Sequence, residues 1–200
     1  MRSRDGSKDR TDWYLAALNS HDGSSAFRFL LTPIRIVCAN TQAAAIARAK
    51  ASFAIRHTGG ARGAINEART ALGLSWRYME AFEAEAAALY AEPMDVEKVR
   101  SFAAELVKVD QAPSTAARTR RREQANGIVK LFVSSPTVQP IAGTRWAAYN
   151  AVTEYVDHIA PVRGARTSAD AADARALRAV TTGSSAQLMK VDAFRMLQTI

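Results

Sequence analysis

Three histidines have the side chains best suited to chemistry near neutral pH, and each lies in a polar cluster: His21-Asp22, Arg56-His57-Thr58 and Asp157-His158. Imidazole titrates in the physiological range and ligates divalent metals through a neutral ring nitrogen. At about 100° per residue, a helix through the third cluster groups Asn150, Glu154, Asp157 and His158 in one quadrant. If the other clusters meet that quadrant, His21, Asp22, His57, Glu154, Asp157 and His158 are the candidate catalytic set of a metal-dependent hydrolase or nuclease. The plainer alternative is that Asp22 closes a turn, His57 is a satisfied sheet residue and the helix shows water its polar face. No spacing among these residues matches a known metal site, so no metal ligand set and no cofactor is assigned.

Arginine carries the second chemistry. The chain has a formal net charge of +8, and its charge is polarised. Residues 23–79 hold eight basic side chains and one acid, whereas residues 80–110 hold eight acids and three bases. Residues 112–135 are basic again, with Arg118, Arg120, Arg121, Arg122 and Lys130 opposed by Glu123 alone. Such clusters neutralise phosphates, and the run at 120–122 equally suits a solvated helix face. Arg28, Arg35 and Arg56 fall on strand patterns and would line an open sheet face able to meet a nucleic-acid backbone. Pairing with Glu80, Glu83 or Glu85 would give the same pattern. Trp13, Trp76 and Trp146 sit at packing positions more than at base-stacking ones. Part of the composition reflects codon usage, since arginine outnumbers lysine 21 to 6, as a GC-rich genome produces.

Several classes are disfavoured. GxxxxGK[ST], strand-anchored GxGxxG, CxxC and HExxH are all absent, against common NTPase, dehydrogenase and zinc-protease chemistry. Apolar stretches such as 30–39 are interrupted by Arg35 and fall short of a membrane span. The N-terminal MRSRDGSKDR leads into Asp12 and Trp13 instead of a signal-peptide core. The single cysteine, Cys38, suits a buried thiol in a reducing cytoplasm.

The elements that must position these residues read as follows. Trp13 to Leu18 and Phe27 to Cys38 form a hairpin across NSHDGSS, with Pro33 interrupting the second strand. Asn40 or Thr41 caps an alanine-rich helix to about Ala49, and Ser52 to Thr58 is a third strand ended by Gly59-Gly60. From Ala61 onward the apolar period is 3.6, with a break at Gly73, then helices capped by Asp95, Ser114 and Thr144, and two more from Ser168 to Thr181 and from Ser184. The expected class is α+β, a small antiparallel sheet near the N-terminus packed against a predominantly helical remainder. The expected organisation is a polar arm at 1–11, a core domain at 12–160 and a C-terminal helical extension at 161–200.

The segments NSHDGSSAF, LTPIRIVCANTQAAAI, FAIRHTGG and GTRWAAYNAVTEYVDH resemble the domain-of-unknown-function 932 family of phage- and plasmid-like proteins, from about Trp13 to His158. The resemblance implies a mobile-element accessory protein in a bacterial cytoplasm and brings no activity, cofactor or catalytic residue. Relatives carry a further region ahead of the HDGS hairpin, where this chain has about twenty residues. The small sheet would then leave edges for another subunit or chain to cover, so a homo-oligomer or a pairing partner is expected. Three functions follow: nucleic-acid binding through basic surfaces, metal-dependent hydrolysis, and an oligomeric interaction module without catalysis.

Overall fold

A computed structural model describes residues 11–18, 27–35, 40–41, 52–55, 61–162, 164–180 and 184–200. Four strands precede the helices: β1 (Thr11–Leu18), β2 (Phe27–Arg35), β3 (Asn40–Thr41) and β4 (Ser52–Ile55). β2 pairs antiparallel with β1 along one edge, and along the other with β4 at Phe27–Leu30 and β3 at Ile34–Arg35. Pro33 does not interrupt the β1 ladder, where it faces Trp13. It falls between the β4 and β3 pairings, where its missing N–H costs no ladder bond. Asn40 and Thr41, expected to cap a helix, are instead the two residues of β3.

The expected α+β class is corrected: the fold is predominantly helical. Most of the described residues are helical, and the buried core described comes from the helices and the turns between them, with Trp13 of β1 packed against it. The first helix, α1 (Ala61–Ala91), runs unbroken through Gly73. An interior glycine costs only about 1 kcal/mol against alanine, which packing of the Tyr78, Phe82, Ala86 and Leu89 stripe outweighs.

Each later helix starts at a side-chain cap. Asp95 accepts from Lys98 N at 2.8 Å to start α2 (Val96–Leu106), and Ser114 accepts from Ala117 N at 3.2 Å to start α3 (Thr115–Ser134). Thr144 accepts from Ala147 N at 3.0 Å to start α4 (Arg145–Glu154). α5 spans Ser168–Val180, and Ser184 accepts from Gln187 N at 3.1 Å to start α6 (Ser185–Thr199). These bonds satisfy backbone donors that a helix leaves open at its first turn.

α4 lies at the centre, with every residue from Trp146 to Thr153 buried. Phe82 of α1 meets Trp146 at 6.1 Å and Phe194 of α6 at 6.0 Å, and Trp13 meets Phe82 edge-on at 5.3 Å. Phe194 and Leu197 are fully buried, so α6 shares this core. Trp76, expected at a packing position, is instead 62% exposed and donates to Glu80 at 2.9 Å. No helix among the described residues is long and apolar enough to cross a membrane.

α2 ends with Lys108 in the left-handed region at φ 57°, its N–H bonded to Glu105 O at 2.9 Å. A β-carbon is disfavoured there by roughly 1–2 kcal/mol, and glycine is the usual occupant. Lys108→Gly should therefore stabilise the fold by about 1 kcal/mol, read as a higher urea midpoint at unchanged slope.

Candidate nucleic-acid interface

The basic segment forms the first half of α3, which projects beyond the core: the buried residues of α3 are Ala125, Ile128, Val129 and Phe132, all in its second half. Consecutive residues on a helix diverge by about 100°, so the Arg120-Arg121-Arg122 run is not one patch. Arg118, Arg122 and Lys130, four and eight residues apart, form one slowly winding row. All three are exposed and lack a side-chain partner among the described residues. Arg121 turns inward, half-buried, and donates through Nη1 to Lys108 O at 2.6 Å, tying α3 to the end of α2. Arg120, which is exposed, lines a cleft that Arg121 also borders.

That cleft, of about 900 Å³, lies between α3, the turn after α4, and the α5–α6 junction. Arg120, Arg121 and Arg178 line it against a single carboxylate, Glu123, together with Tyr155 and Ser185. The turn is a π-helical segment, Tyr155–Ile159, closed by Ala160 N donating to Tyr155 O at 2.7 Å. Pro161 follows and cannot continue the helix. The wide turn carries Tyr155 against α3 at Gly127, where a β-carbon would come within 2.8 Å of the ring. Burial, and then the charge of Glu123, push the Tyr155 phenol above its ordinary value, so it remains an O–H donor through neutral pH.

The third histidine cluster is divided by the same turn. Asn150 is fully buried and donates to Trp146 O at 2.8 Å, so α4 does not show water the polar face read from its sequence. Glu154 accepts from Ser135 Oγ at 2.9 Å and from Thr137 Oγ1 at 2.5 Å. Asp157 accepts from Lys190 Nζ at 2.5 Å, and Lys190 is 1% exposed. His158 is exposed. Among the described residues no group of three His, Cys, Asp or Glu side chains is placed to hold a metal. His21, Asp22, Arg56 and His57 lie outside the described residues. Arg28 and Arg35 are on β2, where the register runs one-to-one from Leu18↔Arg28 to Thr11↔Arg35.

Two residues escaped sequence reasoning. Lys190 occupies the apolar stripe of α6, formed by Ala186, Ala193, Phe194 and Leu197, and a lysine at a stripe position was the available signal. Arg178 follows Ala171, Ala174 and Arg175 on the half-buried side of α5.

The described residues form a helical core flanked by a basic helix and a cleft lined by arginines. The chain belongs to the family described as Domain of unknown function (DUF932), whose profile matches residues 2–180, beyond the stretch on which the resemblance rests. Comparison with curated proteins and with solved structures finds no match.

The Lys190–Asp157 pair yields a stability prediction. Removing one member of a buried pair strands the other, so Asp157→Ala should cost about 3–5 kcal/mol, while Asp157→Leu with Lys190→Met should recover most of that loss. Burial outweighs the opposing effect of Asp157 and lowers the Lys190 pKa below 10.5. Between that depressed value and 10.5 the unfolded chain binds more protons, so the contribution of Lys190 to stability is present above 10.5 and lost as pH falls through its folded value. Chemical denaturation of wild type and Lys190→Met across the alkaline range should show a difference that moves in favour of wild type as pH rises.

Proposed function

We propose that this chain is a nucleic-acid-binding accessory protein of a mobile element, and that it holds the phosphate backbone along the first half of α3. The observation that carries this reading is the row of Arg118, Arg122 and Lys130, exposed and without side-chain partners among the described residues. Exposed cations on a regular helix have little structural use, because surface ion pairs contribute at most about 1 kcal/mol and these make none. A polyanion gains from the same row by releasing condensed counterions. The net charge of +8 supports the reading through long-range attraction. The phage- and plasmid-like resemblance supports the mobile-element setting. Contacts of this kind position a backbone and carry no base preference of their own.

Salt-dependent fluorescence anisotropy with a labelled oligonucleotide tests the proposal. Arg118→Ala with Arg122→Ala and Lys130→Ala should weaken binding and flatten the log affinity against log salt slope by about two to three units. Arg121→Ala alone should change that slope by less than one unit, because its guanidinium is already bonded to Lys108 O. An unchanged slope in the triple variant would remove α3 from the interface.

A further inference from the structure

The cleft beside α3 presents an apolar surface that the cationic row on the helix does not use. Ile159, at the end of the π-helical turn, is 49% exposed, and it borders the cleft together with exposed Pro161 and half-buried Met189. One exposed apolar side chain is ordinary on a protein surface. Several gathered around a concavity of about 900 Å³ are not, and a mostly apolar hollow with a few placed polar groups is the usual form of a ligand site.

Two of those polar groups come from α3. Arg120 is exposed at the cleft, where Glu123 is the only carboxylate among the lining residues. Gln124, half-buried, also lines it, and among the described residues its side chain donates from Nε2 to Met189 Sδ at 3.6 Å. A thioether is a weak acceptor, so the carboxamide keeps a donor and an acceptor for a stronger partner. An apolar wall, a carboxamide and a neighbouring cation match a nucleotide: the wall takes the face of the base, the amide its edge and the arginine its phosphate.

We infer that the cleft receives one unpaired base of a strand whose backbone lies along α3, with Ile159 and Met189 against the face of the base and Gln124 at its edge. The inference rests on the reading of α3 as a phosphate-binding surface and deepens it by naming the substrate class, single-stranded nucleic acid. Arg120 is two residues from both Arg118 and Arg122, which puts it on the far side of the helix from them. A helix with its side chains is only about 10–12 Å across, so a flexible strand can cross α3 and turn a base inward. In a duplex the bases are stacked and paired, and extruding one is costly.

The test uses the full chain with an all-abasic sugar-phosphate strand, strands of the same length carrying a single A, C, G or T at the centre, and a labelled acidic peptide with one apolar residue. Wild type should bind the one-base strands about tenfold more tightly than the abasic strand, the gain from one seated base. Ile159→Ser, a change at an exposed position, should erase most of that gain. Gln124→Leu should level the affinities of the four one-base strands. The Arg118, Arg122 and Lys130 triple variant should weaken every strand and keep the gain. Equal wild-type affinity for abasic and one-base strands, with a steep salt dependence, would overturn the cleft and leave the α3 reading standing. A one-base gain with the salt slope unchanged in the triple variant would support the cleft and sink the α3 reading. A gain that survives both Ile159→Ser and Gln124→Leu would place the base elsewhere and overturn the assignment, as would a peptide held through Ile159 with no one-base gain. The wild-type comparison needs no variant, so a variant that misfolds cannot shield the inference.

Discussion

The complete burial of α4 is the constraint on which the rest of the molecule depends. A helix hidden on all sides must be covered by neighbours around its whole circumference, and α1, α3 and α6 all pack against it. Its polar groups must then be satisfied from within. Asn150 donates to Trp146 O and Thr153 donates to Asn150 O at 2.9 Å, both bonds within the helix itself. The start of α4 is held from two directions. Arg145 N donates to Glu92 O at 2.9 Å, and the Arg145 guanidinium donates to Leu197 O at 3.0 Å, joining the ends of α1 and α6 to one point.

The far end of α4 couples that core to the arginine-lined cleft. Continuing as an ordinary helix would carry Tyr155 and Asp157 around by about 100° per residue. The π-helical turn instead brings the Tyr155 ring against Gly127 of α3, while Asp157 reaches Lys190 of α6. One irregular turn therefore fixes the wall of the cleft and the buried ion pair together. Alteration of the turn would move both, whereas the exposed row on α3 lies outside its reach.

Much of the helical architecture was legible because it is written in local signals: Asp95, Ser114, Thr144 and Ser184 cap where their residue types say they should. Gly73 misled because a local propensity of about 1 kcal/mol is small beside the burial of the stripe that follows it. The α+β expectation failed for a related reason. Alternating segments near the N-terminus do pair as strands, but they are short beside the helices that make up most of the described residues. The α4 quadrant was misread because amphipathic logic assumes a helix with one wet side. Arg178 and Lys190 were invisible because their significance depends on contacts between elements distant in sequence.

Arg178 and Lys190 also differ from each other in a way that bears on function. Lys190 buries its whole ammonium head, whereas Arg178 is half-buried and seals only Nε and Nη2 from solvent. Lys190 is compensated inside the fold: Asp157 accepts from it, and the pair joins α6 to the turn after α4. Its charge is explained by structure. Arg178 shows no such acceptor for Nε and Nη2 among the described residues, although its backbone carbonyl is bonded to Ser184 Oγ. One buried cation is thus satisfied by a carboxylate, while the sealed nitrogens of the other show no acceptor among the described residues. Departures from internal satisfaction concentrate where a protein meets a ligand.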